Sequence, residues 1–124
     1  MTFDEYDKAA ARTAGPAQTQ QEGLALCALG ICGEGGEFAD EVKKHLFHTH
    51  PLHWDKLVEE LGDVLWYVSR ACSALGTTLE MVALGNVAKL KQRYPEGFSS
   101  DQSINRPCTV CGCVGWHSFS CTNN

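Results

Sequence analysis

Apolar residues recur at helical spacing from the first turn of the chain to about residue 93, and no strand-like alternation appears before residue 98. Four helices are predicted. The first starts near Thr2 or Asp4 and ends near Thr13, ahead of Gly15-Pro16. The second runs from about Thr19 to Leu46. Its first half (Leu24, Ala25, Leu26, Cys27, Ala28, Leu29, Ile31) is apolar almost all round, which predicts a central, buried helix, and its second half is amphipathic. The segment His48-Thr49-His50-Pro51 breaks it.

The third helix covers about Trp54 to Leu75. Leu57, Leu61, Val64, Leu65, Val68, Cys72 and Leu75 share one broad apolar face, with Glu60, Asp63 and Tyr67 along its margin. Gly76 suits the residue just past the helix end. Thr77 or Thr78 caps a fourth helix that reaches about Arg93, before Pro95-Glu96-Gly97. The expected fold is all-α, a four-helix bundle in residues 1–98 with no internal repeat. From Ser99 the helical period is lost and Ser, Asn, Gly and Cys dominate. Residues 99–107 read as a linker and 108–124 as a separate small element.

A chain of 124 residues is one domain with a small appendage, and 44% hydrophobic with 20% charged residues is ordinary for a globular protein. The formal net charge of −5 argues against general affinity for a nucleic-acid backbone. The acidic start (Asp4, Glu5, Asp7) is unlike a secretory leader. The longest apolar stretch, Leu24 to Cys32, is about half of the roughly 20 residues that cross a bilayer. A cytoplasmic location with no membrane partner is expected. Of seven cysteines, Cys27, Cys32 and Cys72 fall on apolar helical faces, while Cys108, Cys111, Cys113 and Cys121 crowd at the end of the chain. Such clustering favours a metal over a disulfide framework.

Two acidic pairs carry the chemistry. Glu34-x-x-Glu37 and Glu60-x-x-Asp63 lie on consecutive predicted helices, and i,i+3 spacing points both members of each pair the same way. If those helices pack antiparallel, four carboxylates converge. Like charges that close repel and raise one another's pKa, and a hard divalent cation with all-oxygen ligands, Mg²⁺ or Mn²⁺, resolves the conflict. Glu41 extends the acidic stripe, Asp40 points elsewhere, and Lys43 and Lys44 serve the helix end by pairing with Asp40. Gly33, Gly35 and Gly36 each cost a helix interior about 1 kcal/mol, so either another backbone or a bulky ligand approaches there.

On the fourth helix Asn86, Lys89 and Arg93 form one polar stripe suited to phosphate oxygens, which together with metal-binding carboxylates makes a clamp for phosphoryl chemistry. Tyr67, one turn from Asp63, is a candidate to stack on a base or ribose, whereas Trp66 points away from the stripe and reads as a packing residue. His45, His48, His50 and His53 cluster irregularly around Pro51, as a loop does rather than a metal site.

These runs resemble the motifs of MazG-like nucleoside triphosphate pyrophosphohydrolases. Gly33-Glu34-Gly35-Gly36-Glu37-Phe38-Ala39-Asp40-Glu41-Val42-Lys43-Lys44 is similar to the first acidic motif, and Glu59-Glu60-Leu61-Gly62-Asp63-Val64-Leu65-Trp66-Tyr67 to the second. Asn86-Val87-Ala88-Lys89-Leu90 with Arg93-Tyr94-Pro95-Glu96-Gly97-Phe98 resembles the closing motif of the small members, and the likeness covers about residues 3–98. His53 stands where a helix-capping Asp is expected. The resemblance implies an all-α fold acting as a homodimer or homotetramer, with Mg²⁺ held by Glu34, Glu37, Glu60 and Asp63. The implied reaction turns a ribo- or deoxyribonucleoside triphosphate and water into monophosphate and pyrophosphate. Metal coordination would acidify the attacking water, a neighbouring carboxylate would take its proton, and attack would fall on the α-phosphorus.

The tail has no counterpart in the smallest relatives. Cys108-x-x-Cys111 gives a zinc hairpin, and His117 and Cys121 complete a structural Zn²⁺ set with Cys113 as a spare. A second functional class therefore stands beside the enzyme: a helical dimerisation module whose knuckle-like tail binds nucleic acid or a protein. Intact acids at all four positions and the acidic net charge favour the enzyme. A di-iron carboxylate bundle is weakened because neither pair is Glu-x-x-His.

Overall fold

Local rules set the helix limits. The computed structural model describes residues 1–16 and 19–105, with α1 at Phe3–Ala11, α2 at Gln20–His48, α3 at Trp54–Ala74, α4 at Leu79–Arg93 and α5 at Ser100–Ile104. Thr2 and Glu5 form a reciprocal capping box on α1: the Glu5 N–H donates to Thr2 Oγ1 at 3.2 Å and the Thr2 N–H donates to Glu5 Oε2 at 2.7 Å. Thr19 Oγ1 caps α2 by accepting from the Glu22 N–H, and Thr78 Oγ1 accepts from the Met81 N–H at the start of α4. His53 occupies the N-cap of α3 without a side-chain capping bond.

The ends are as specific as the starts. Thr49 closes α2 in the left-handed region at φ 59°, and the His50 N–H donates back to the Lys44 carbonyl. At the end of α3, Gly76 has φ 71°, its N–H donates to the Ser73 carbonyl, and the Thr77 N–H donates to the Cys72 carbonyl. That pair of bonds is a Schellman motif, whose left-handed residue is most easily a glycine, as Gly76 is.

The chain divides into two compact units, Met1–Ala83 and Leu84–Asn124. In the first, α3 is the central helix, packed by α2 and by α1. Gln20 at the start of α2 donates to the Ala74 carbonyl at the end of α3, so the two helices run antiparallel. The seam with α1 is polar, and only the buried Arg70 Nε in it lacks a partner among the described residues. Ser69 is completely buried and donates to Asp7 Oδ1 at 2.7 Å, Arg70 Nη2 donates to the Asp7 carbonyl at 3.1 Å, and Trp66 Nε1 donates to Thr13 Oγ1 at 2.9 Å. Trp66 is thus a packing residue, as its position off the acidic stripe implied.

The apolar half of α2 differs from expectation. Cys27 is buried, but Leu26 is 57% and Leu29 74% exposed, because only one side of α2 meets α3. Cys32 is exposed rather than buried on an apolar face. On α3, Leu57 and Cys72 are buried, while Trp54, Val58, Leu61 and Leu65, one stripe at helical spacing, are all exposed.

The described part of the second unit contains most of α4, a turn at Gly97 (φ 97°) where the Tyr94 and Phe98 rings meet at 5.7 Å, and α5. The last corrects the reading of 99–107 as plain linker: Ser99 Oγ accepts from the Gln102 N–H and starts a short helix. With α5, the described residues carry five helices rather than four.

The three glycines of the first acidic motif are not sites of helix contact: among the described residues, a Cβ at Gly33, Gly35 or Gly36 would meet nothing within 4 Å. Close approach occurs instead at Gly30, where the Tyr67 ring occupies the space a Cβ would need. Gly30→Ala is expected to destabilise the protein by about 1–3 kcal/mol through overpacking. Gly33→Ala, in open space, is expected to stabilise it by about 0.5–1 kcal/mol through helix propensity. Chemical denaturation of the two variants beside the parent reads the opposite signs.

Candidate metal centre

Antiparallel packing of α2 on α3 decides which acids meet. Glu34 and Glu37 from α2 and Glu60 from α3 each bring one carboxylate oxygen within 4.8 Å of the others, the one group of three or more potential metal ligands among the described residues that comes this close. Glu34 and Glu60 are half-buried and Glu37 is exposed. Asp63, one turn along α3, is exposed and stands outside that trio. Its charge is still felt there. The Glu60 carboxyl is raised above its ordinary pKa, first by desolvation and then by Glu37, Glu34, Asp63 and Glu59 in that order.

Nearby lysines do not relieve this crowding. Lys43 and Lys44 both bond to Asp40, Lys44 at 2.7 Å, and these bonds hold the Asp40 carboxyl down at about 2. Lys44 also reaches Glu41 at 3.4 Å. Both lysines are spent on the helix that carries them, as their spacing implied.

A cavity of about 400 Å³ opens beside the trio. Gly33 and Gly36 form part of its α2 wall, which accounts for glycines that no described helix approaches. Glu37, Asp40, Glu41 and Lys44 complete that wall, and Lys56, Glu59 and Glu60 line the α3 side. Asp40 therefore borders this space instead of pointing away from it. Lys56 was not singled out by sequence reasoning. Its signal is the i,i+4 spacing to Glu60, which places it on the acid's own face of α3. Tyr6 on α1 is a second omission: it is half-buried, and desolvation raises its pKa, with Asp63 also contributing upward.

Tyr67 is half-buried with its ring against Gly30 and edge-on to Trp66 at 4.9 Å. Asn86 and Lys89 are exposed and Arg93 is half-buried, all on the α4 segment within the second unit. The histidines form no metal cluster among the described residues; His45 Nδ1 lies 2.9 Å from the His50 carbonyl oxygen and His48 packs edge-on to His50. The zinc candidates Cys108, Cys111, Cys113, His117 and Cys121 lie outside the described residues.

The sequence profile of the MazG nucleotide pyrophosphohydrolase domain matches residues 22–98, a span that holds both acidic pairs and all of α3 and α4. The chain belongs to the MazG family. It is 37% identical over 89 residues to the gene 37 protein of Mycobacterium phage L5, covering 68% of this chain and 78% of that protein. No solved structure matches it. Members of this family are nucleotide pyrophosphohydrolases that use a divalent metal, and the trio of the MazG domain fits such an ion: every donor is a carboxylate oxygen, and among the described residues no lysine or arginine forms an ion pair with any of the three. No helix among the described residues is long and apolar enough to cross a membrane.

Folding raises the pKa of Glu60, so between the unfolded and folded values the native state holds more protons than the unfolded chain. Stability of the metal-free protein therefore falls as pH rises through that window and stays lower above it. Glu60→Gln removes the penalty. In thermal melts with EDTA, the variant is expected to melt above the parent at neutral pH and to match it below the ordinary value of 4.5. Mg²⁺ is expected to raise the melting point of the parent alone.

Proposed function

We propose that this MazG domain, residues 1–98, hydrolyses ribo- or deoxyribonucleoside triphosphates to the monophosphate and pyrophosphate. The observation that carries the reading is the convergence of Glu34, Glu37 and Glu60 within a chain matched by the family profile. Glu34, Glu37, Glu60 and Asp63 hold Mg²⁺, with Mn²⁺ as a substitute. When bound, the ion neutralises charge on the phosphate and acidifies a water for attack on the α-phosphorus. Within the chain, a carboxylate of the first pair takes the proton from that water. Asn86, Lys89 and Arg93 bind phosphate or ribose oxygens. Tyr67, one turn from Asp63, contacts the ribose or base.

The protein works in the cytoplasm as a homodimer or homotetramer. The exposed stripe Trp54, Val58, Leu61 and Leu65 supports this: the four are 71%, 68%, 54% and 38% exposed, and a continuous apolar helix face of that length is normally covered. The tail takes Zn²⁺ through Cys108, Cys111, His117 and Cys121, and any contact with nucleic acid belongs to it.

Incubation with a panel of nucleoside triphosphates and Mg²⁺, with product analysis, tests the reaction. Monophosphate and pyrophosphate are expected, and EDTA is expected to abolish both; diphosphate and phosphate would place attack on the wrong phosphorus. Glu37→Gln and Asp63→Asn are each expected to lower turnover by roughly a hundredfold or more, the worth of several kcal/mol of lost charge stabilisation, with the helical circular dichroism unchanged. Leu61→Glu is expected to reduce the mass seen by sedimentation equilibrium to that of one chain.

A further inference from the structure

Among the described residues, Ala10 is the one in α1 that is buried, so apolar contact supplies little of what holds α1 to α3. Directed bonds centred on Asp7 supply more. Its carboxylate accepts from Ser69 at 2.7 Å, its carbonyl accepts from Arg70 Nη2 at 3.1 Å, and the same Nη2 donates to Ser69 Oγ at 3.0 Å. These bonds close a ring around a completely buried serine. Ser69 follows Glu60 by nine residues, about two and a half turns, and so stands on the opposite face of α3 from that acid. Helix α1 therefore grips α3 from behind the acid trio. On the α2 side the Tyr67 ring lies against Gly30, which has no side chain to interlock with it, and such a contact sets a distance more than a rotation. A turn of α3 by about 20° would swing a carboxylate about 6 Å from its axis through about 2 Å. Bonds to a divalent ion tolerate displacements of only about 0.2 Å.

We propose that Asp7 and Ser69 are positioning residues for the metal centre: the hydrogen bond between them holds α3 in the rotation that keeps Glu60 facing Glu34 and Glu37. The inference rests on the reading of the acid trio as a divalent-metal site and is independent of the substrate. Repulsion from Glu34 and Glu37 pushes Glu60 outward, and α3 follows that push once the bond on its far side is gone. The trio then opens, and an ion must close it again before all three carboxylates can bind. Metal affinity falls as a result, although neither Asp7 nor Ser69 touches the ion.

Asp7→Ala, Asp7→Asn and Ser69→Ala, titrated with Mn²⁺ beside the parent and followed by electron paramagnetic resonance, test the assignment. All are measured below their melting range, where lost stability alone would not alter the affinity. Asp7→Ala and Ser69→Ala are expected to weaken Mn²⁺ binding by roughly tenfold or more, with helical circular dichroism retained. Asp7→Asn keeps an oxygen that accepts from Ser69 and is expected to bind as the parent does. The Mg²⁺ concentration that gives half-maximal hydrolysis is expected to rise in step in the two alanine variants. Trp66→Phe is the milder variant, since it keeps the ring and removes the bonds to Thr13 and Ala10 in the same seam; a smaller loss of affinity is expected. Parent-like Mn²⁺ affinity in the alanine variants, or in Trp66→Phe where they do not fold, would overturn the assignment. Binding in Asp7→Asn as weak as in Asp7→Ala would also overturn it, because the charge of Asp7 and not its hydrogen bond would then be the cause. A parent that binds no Mn²⁺ would refute the metal site itself, a result separable from these.

Discussion

Repulsion among carboxylates governs this molecule. α2 and α3 run antiparallel, and the register of that pairing brings Glu34, Glu37 and Glu60 within one small volume, with Asp63 and Glu59 adding their fields to Glu60. A fold selected for stability alone would interleave cations there. Instead Lys43 and Lys44 are engaged with Asp40 and Glu41, and no ion pair among the described residues reaches the trio. The protein therefore carries a local electrostatic cost in its metal-free form that a hard divalent cation would relieve, and relief of that cost would be a source of binding energy for the ion.

The rest of the first unit holds this arrangement in place. Tyr67 packs on Gly30, one turn from Asp63 on its own helix and one turn from Glu34 on the other, so the spacing of the two helices is set immediately beside the acids. Asp7, Ser69, Arg70, Thr13 and Trp66 tie α1 across α3 through directed hydrogen bonds, which fix the rotation of α3 about its axis as apolar contact does not. Rotation of α3 decides which way Glu60 points. Open space at Gly33 and Gly36 then leaves the acids a cavity, where any larger side chain on α2 would intrude.

Much of this is legible from the residues. Thr2, Thr19, Gly76 and Thr78 carry local chemistry that works in the same way in any fold, so the helix limits follow from sequence to within a few residues. The acidic pairs are legible for a similar reason: i,i+3 spacing fixes a shared face wherever the helix goes. What depends on the partner of a helix is not. The all-round apolar run of α2 reads as buried, yet Leu26 and Leu29 face outward, because periodicity reports what a surface is made of and not what covers it. The glycines of the first motif allow either a close helix or an open cavity, and only the packing at Gly30 distinguishes them. Lys56 reads as one more lysine on a charged helix until the cavity it lines is seen. The helix at Ser100–Ile104 is a single capped turn, too short to leave a period.

The central claim is that these carboxylates form one divalent-metal site, and titration of Mn²⁺ into the metal-free protein, followed by electron paramagnetic resonance, tests it most directly. The account predicts saturable binding to the parent protein, competed by Mg²⁺, and its loss in Glu34→Gln, Glu37→Gln and Glu60→Gln, with helical content retained in each. Binding of equal affinity in the three variants, or none in the parent, would contradict it.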